Sequence, residues 1–153
     1  MTHQLPYFYE TEVEWKVGRR TSVRATGLPS LEVAPPPEFQ GDPGFWTPEH
    51  LYVASVNSCF VATFLAIADL SKLDIVSVAS SARGKLEQVE ASGFQITEVV
   101  LRPKLMVRHA RDMERGGRLL AKAAKSCLIS NSIKTIVELE PQIEFESADT
   151  LVA

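Results

Sequence analysis

Eighteen consecutive residues, Leu51 to Ala68, carry no formal charge, and that run limits the possible folds more than any other stretch. Thr47 is a good helix cap, Pro48 suits the first helical position, and Glu49 places a carboxylate in the first turn. The spacing therefore predicts a helix that starts at Pro48 and is apolar nearly all round. Its length would span a bilayer, but Ser55, Asn57, Ser58 and Thr63 interrupt it, alanines dilute it, and no Lys or Arg cluster flanks it. The expectation is burial in protein and no membrane. In a chain of 153 residues few other elements can surround such a helix, so a second subunit should cover part of it. A homodimer is expected on that ground.

That length fits one ordinary domain, taken as residues 1–153. A net charge of −3 with 23% charged residues offers no basic field for phosphates, and nucleic acid is not an expected partner. Met1 to Tyr7 lacks the positive opening and apolar run of a signal peptide, so a cytoplasmic location is expected. Two cysteines in such a setting argue against a disulfide scaffold. Any bond between them would be transient and functional.

Around the long helix the pattern is mostly extended. Tyr9, Thr11, Val13, Trp15 and Val17 alternate with Glu10, Glu12, Glu14 and Lys16, predicting a strand with one buried face. The turn Gly18-Arg19-Arg20 joins it to a second run, Thr21 to Thr26. Pro35, Pro36, Pro37, Gly41, Pro43 and Gly44 make the following stretch a connecting loop. Val76 to Val89 and Phe94 to Arg108 read as a hairpin around Glu90 to Gly93, with Pro103 demoting the later half of its second strand to an edge or bend. Asp112 to Lys125 fits a helix capped by Asp112, with Leu119, Leu120, Ala123 and Ala124 inward and Gly116-Gly117 counting against it. Ser132 to Glu146 combines a short helix or turn with a strand, Gln142 to Glu146. Helices are not interleaved one for one with strands, which makes the class α+β.

The two cysteines admit a plain reading as small buried hydrophobes. For Cys59 to react, its thiolate must be stabilised, because an apolar site raises a thiol. The helix dipole fades beyond the first turn, and Cys59 lies about ten residues from the cap. With no Lys or Arg between Leu51 and Leu70, a cation from a distant part of the chain is the expected source. Glu49 could hold such a guanidinium, or could simply complement the helix dipole. Arg19 and Arg20 are the candidate cations. His3, His50 and His109 are scattered and neither cysteine has ligand spacing, so no metal is expected; no phosphate-binding loop is present either.

The stretch Thr47-Pro48-Glu49-His50-Leu51, continuing to Asn57-Ser58-Cys59-Phe60, resembles the central helix of the OsmC and organic hydroperoxide resistance family, with its Pro-Glu start and Cys-Phe pair. Ala124-Lys125-Ser126-Cys127-Leu128-Ile129-Ser130-Asn131 is similar to that family's second cysteine motif, and the element order agrees from Tyr9 to Glu146. The resemblance implies an OsmC-like fold, with antiparallel sheets around a long buried central helix, and an intertwined homodimer. It implies a thiol peroxidase that reduces organic hydroperoxides, and hydrogen peroxide as a further substrate, without a cofactor. Cys59 matches the peroxidatic cysteine, Cys127 the resolving one, and Glu49 the carboxylate that orients a catalytic arginine. Gly18-Arg19 matches the family's glycine-arginine turn, so Arg19 is taken over Arg20. A small dithiol or a lipoyl- or thioredoxin-type protein would restore the thiols. One departure stands out: the proline common after the second cysteine is Leu128 here. A non-catalytic dimer of the same fold, binding a small ligand or sensing redox state, is the alternative reading.

Overall fold

The computed structural model describes residues 4–147, and the chain divides into two compact units, residues 1–51 and 52–153.

The first unit is a three-stranded antiparallel sheet of β1 (Glu12–Val17), β2 (Arg20–Arg24) and β3 (Leu31–Val33). The β1–β2 turn needs a left-handed residue and has Gly18 there, at φ +57°. Trp15 Nε1 donates to the Gly18 carbonyl across 3.0 Å and closes the turn. Alternation groups Val13 and Trp15 on one face, opposite Val23 and Thr21, but a bulge between Trp15 and Val17 sets Val17 opposite Arg20 and out of that pattern. The expectation that this face is buried is not met: the three are 64%, 70% and 52% exposed in the single chain. Periodicity says which residues share a face, not that anything covers it. A short 3₁₀ turn at Pro37–Phe39 breaks the proline-rich connection.

Helix α1 (Pro48–Leu70) starts as its sequence dictates. The His50 N–H donates to Thr47 Oγ1 at 3.2 Å, and Thr47 is buried. The helix stops where Lys72 turns left-handed at φ +51°.

The second unit is built on a long antiparallel hairpin, β4 (Ile75–Val89) and β5 (Gly93–Val107). From β5 the chain passes through α2 (Met113–Ser126) and the short α3 (Leu128–Asn131), then returns as β6 (Ile136–Leu139) and β7 (Gln142–Phe145). Both late strands pair parallel to β5, β6 against Glu98–Leu101 and β7 against Lys104–Val107. The sheet is therefore mixed rather than purely antiparallel, because α2 and α3 supply the crossover that parallel pairing requires. Pro103 does not demote β5, which continues to Val107 with Pro103 buried. It falls in the gap between the residues paired to β6 and those paired to β7, so neither strand asks it for an N–H.

Val56, Phe60, Phe64 and Ala68, four apart on α1, enter a core with Val99, Leu101, Leu105, Val107, Leu120, Ala123 and Cys127. Tyr52 hydrogen-bonds Thr135, whose hydroxyl donates to the Ile96 carbonyl at 2.8 Å, and Asn57 Nδ2 donates to the Ser80 carbonyl at 2.9 Å. These bonds fix the rotation of α1 on the sheet. The opposite side of the helix, with Ser58, Ala62, Leu65, Ala66 and Leu70, is exposed in the single chain. By length and composition α1 could cross a membrane, with a mean hydropathy of 1.8; one of its faces is in this core instead.

Gly116 and Gly117 do not weaken α2 as expected; they let it approach the sheet. A Cβ at Gly116 would lie 2.8 Å from Leu105 Cδ2, and one at Gly117 would lie 3.1 Å from Ile143 Cδ1. Asp112 occupies the cap position of α2 but makes no capping bond with its side chain.

Candidate active site

Cys127 is the residue at which α2 ends. It turns to an extended conformation (φ −64°, ψ 117°), and α3 begins with the next residue. The break is held by Asn131, whose N–H donates to the Cys127 carbonyl at 3.0 Å and whose side chain donates to the Lys125 carbonyl at 3.2 Å. It also leaves the N–H groups of Leu128 and Ile129 without acceptors in the preceding helix. The Ile129 and Leu128 N–H groups and the Cys127 side chain come close enough to the Cys59 thiol to lower it.

Burial pushes the Cys59 thiol up, but the Ile129 N–H, the Cys127 side chain, the Thr63 hydroxyl and the Leu128 N–H outweigh it. The net effect holds the thiol below its ordinary value. Thr63 Oγ1 also donates to the Cys59 carbonyl at 2.8 Å. Cys59 is half-buried and Cys127 is fully buried, at 0% exposure; both are free thiols.

The structure thus brings the two predicted cysteines together, and it gives the Cys59 thiol lowering partners within its own unit besides the distant cation expected from the sequence. Leu128 matters here, because a proline at that position would have no N–H to give.

Arg19, Arg20 and Glu49 belong to the first unit. Arg19 is exposed in the hairpin turn, and its Nη1 donates to the Phe39 carbonyl at 2.6 Å. Arg20 is half-buried: its guanidinium lies 5.3 Å from the centre of the Phe45 ring, and its Nε is 3.3 Å from Asp42 Oδ2. That approach gives charge attraction without hydrogen-bond alignment, so the buried Nε has no hydrogen bond. Glu49 sits in the first turn of α1 with Oε2 buried and no hydrogen-bond partner among the described residues. An orphaned buried carboxylate oxygen is costly and marks a group that lacks its donor.

The aromatics near the motif divide. Phe60 and Phe64 are wholly core, whereas Phe45 and the half-exposed Trp46 line an open cavity of about 290 Å³ with Gly44 and His50. Among the described residues no group of three or more His, Cys, Asp or Glu side chains could hold a metal ion.

Against known proteins, the family model described as OsmC-like protein matches residues 41–142, a stretch that holds Glu49, Cys59 and Cys127 and stops short of the Arg19 turn. The uncharacterized protein YmaD of Bacillus subtilis is 25% identical over 108 residues, covering 69% of this chain and 71% of that protein. Among solved structures, an OsmC-like protein of unknown function from Vibrio cholerae superposes with a TM-score of 0.82 at 22% identity, over 89% of this chain and 99% of that one. An organic hydroperoxide resistance protein OsmC from Legionella pneumophila gives a TM-score of 0.75 at 25% identity, over 92% and 99%. The V. cholerae likeness speaks to the α+β fold, and the family match covers well over half of the sequence. The chain belongs to the OsmC-like protein family.

Proposed function

We propose that the protein is a thiol peroxidase that reduces organic hydroperoxides, working as a homodimer in the cytoplasm, where dithiol reductants are maintained. The observation that carries this reading is the approach of the Cys127 side chain to the Cys59 thiol, which helps hold that thiol low.

The Cys59 thiolate attacks the O–O bond of the hydroperoxide. A sulfenic acid forms on Cys59 and alkoxide leaves, taking a proton to become the alcohol. The Cys127 thiol then condenses with the sulfenic acid, releasing water and forming a Cys59–Cys127 disulfide. A dithiol returns two electrons and restores both thiols. Glu49 orients the guanidinium of Arg19, which polarises the peroxide.

The test is stoichiometric oxidation. One equivalent of cumene hydroperoxide added to the reduced protein should remove both titratable thiols, lower the mass by two hydrogen atoms and yield a Cys59–Cys127 linked peptide. Thiols that stay titratable in the folded protein after this treatment would refute the proposal.

A further inference from the structure

A disulfide between Cys59 and Cys127 offers two sulfurs to a reductant, and the structure treats them unequally. Thiol–disulfide exchange is an in-line displacement: the incoming sulfur approaches one disulfide sulfur from the side opposite the other. Cys127 is at 0% exposure and belongs to the core cluster with Leu120, Ala123 and Leu101. An attack on its sulfur would have to come through that core. Cys59 is half-buried, and the line of approach to its sulfur runs away from the α2–α3 junction. Cys127 is already closed off in the single chain, so a second subunit does not open a path to it.

We propose that the recycling thiol attacks the sulfur of Cys59, and that Cys127 is the leaving group and never meets a substrate. The proposal rests on the peroxidase reading for its physiological setting, but it concerns the disulfide however that bond is made. A reductant thiolate forms a new S–S bond to Cys59 as the Cys59–Cys127 bond breaks; the electron pair leaves on Cys127, which takes up a proton. The second thiol of the dithiol then displaces Cys59, releasing a cyclic disulfide. Leaving-group chemistry alone argues the other way, because a thiol held low leaves readily and Cys59 is such a thiol. Access decides against it.

The test uses the full-length protein oxidised with diamide, which needs no peroxidase activity. The disulfide is exposed briefly to 2-mercaptoethanol, quenched in acid, alkylated with N-ethylmaleimide and mapped by peptide mass spectrometry. The mercaptoethanol adduct is expected on Cys59 and the maleimide on Cys127, in about tenfold excess over the reverse. The same reaction in denaturing urea should show no such preference, because both sulfurs are then open. Adducts mainly on Cys127, an even split in the folded protein, selectivity that persists in urea, or failure of diamide to form the bond would each overturn the proposal. An adduct on Cys59 in a protein that hydroperoxide fails to oxidise would uphold it while removing the peroxidase reading.

Discussion

Thr63 is a small side chain with leverage over the chemistry, because its hydroxyl is one of the groups that lower the Cys59 thiol. Thr63→Val keeps the shape and removes the proton. It should move the midpoint of the pH-dependent iodoacetamide reaction upward, toward the ordinary thiol value of about 8.5. The same depression links to stability. Folding favours the thiolate, so the contribution is fully present above the unfolded value of about 8.5 and is lost as pH falls through the lower folded value. Reduced wild-type protein should therefore gain stability over Cys59→Ser between pH 7 and pH 9 in urea unfolding; a flat difference would contradict the assignment. The arginines separate by a second pair of variants. Arg19, exposed and held by one carbonyl, can be re-aimed, so Arg19→Ala should slow oxidation by hydroperoxide about tenfold or more with stability unchanged within about 0.5 kcal/mol. Arg20 is pinned by Asp42 and Phe45, so Arg20→Ala should instead destabilise the protein by about 1 kcal/mol. Residue types and motif single out the two cysteines that the structure brings together, whereas the part played by Glu49 belongs to the proposal. The amide donors were not legible, because nothing in the identity of Leu128 or Ile129 announces where a backbone N–H points.

At the scale of elements, the long helix, the β4–β5 hairpin and α2 were readable, since each carries a long pattern of one period. Misjudged features depended on partners distant in sequence. Pro103 reads locally as a strand breaker because its neighbours β6 and β7, and the gap between them, lie beyond local pattern. Gly116 and Gly117 read locally as helix-weakening because close approach to a sheet is invisible in one dimension. Gly84 shows the same effect on β4: a Cβ there would lie 2.5 Å from Val53 Cγ2. Gly84→Ala should cost about 1–3 kcal/mol in chemical denaturation, and Val53→Ala in the same background should recover part of it. If the double variant is no more stable than Gly84→Ala, the clash is not the cause.

For the whole molecule, the uncovered apolar faces carry the expectation of a dimer. Val13, Trp15 and Val17 on β1, and Leu65 and Leu70 on α1, are all exposed in the single chain. Exposed apolar surface of this kind marks an interaction site. Light scattering after size exclusion should give twice the chain mass of 16.9 kDa, and Trp15→Glu should shift the protein toward monomer. The junction at Cys127 has a further consequence, one of chain topology. A bond from there to α1 would tie into one closed ring some 70 residues that include the whole β4–β5 hairpin and α2. Closing a ring of that size removes freedom from the unfolded chain worth roughly 4 kcal/mol. The oxidised protein should thus melt well above the reduced one, and melting temperature becomes a direct gauge of how far the clasp has closed.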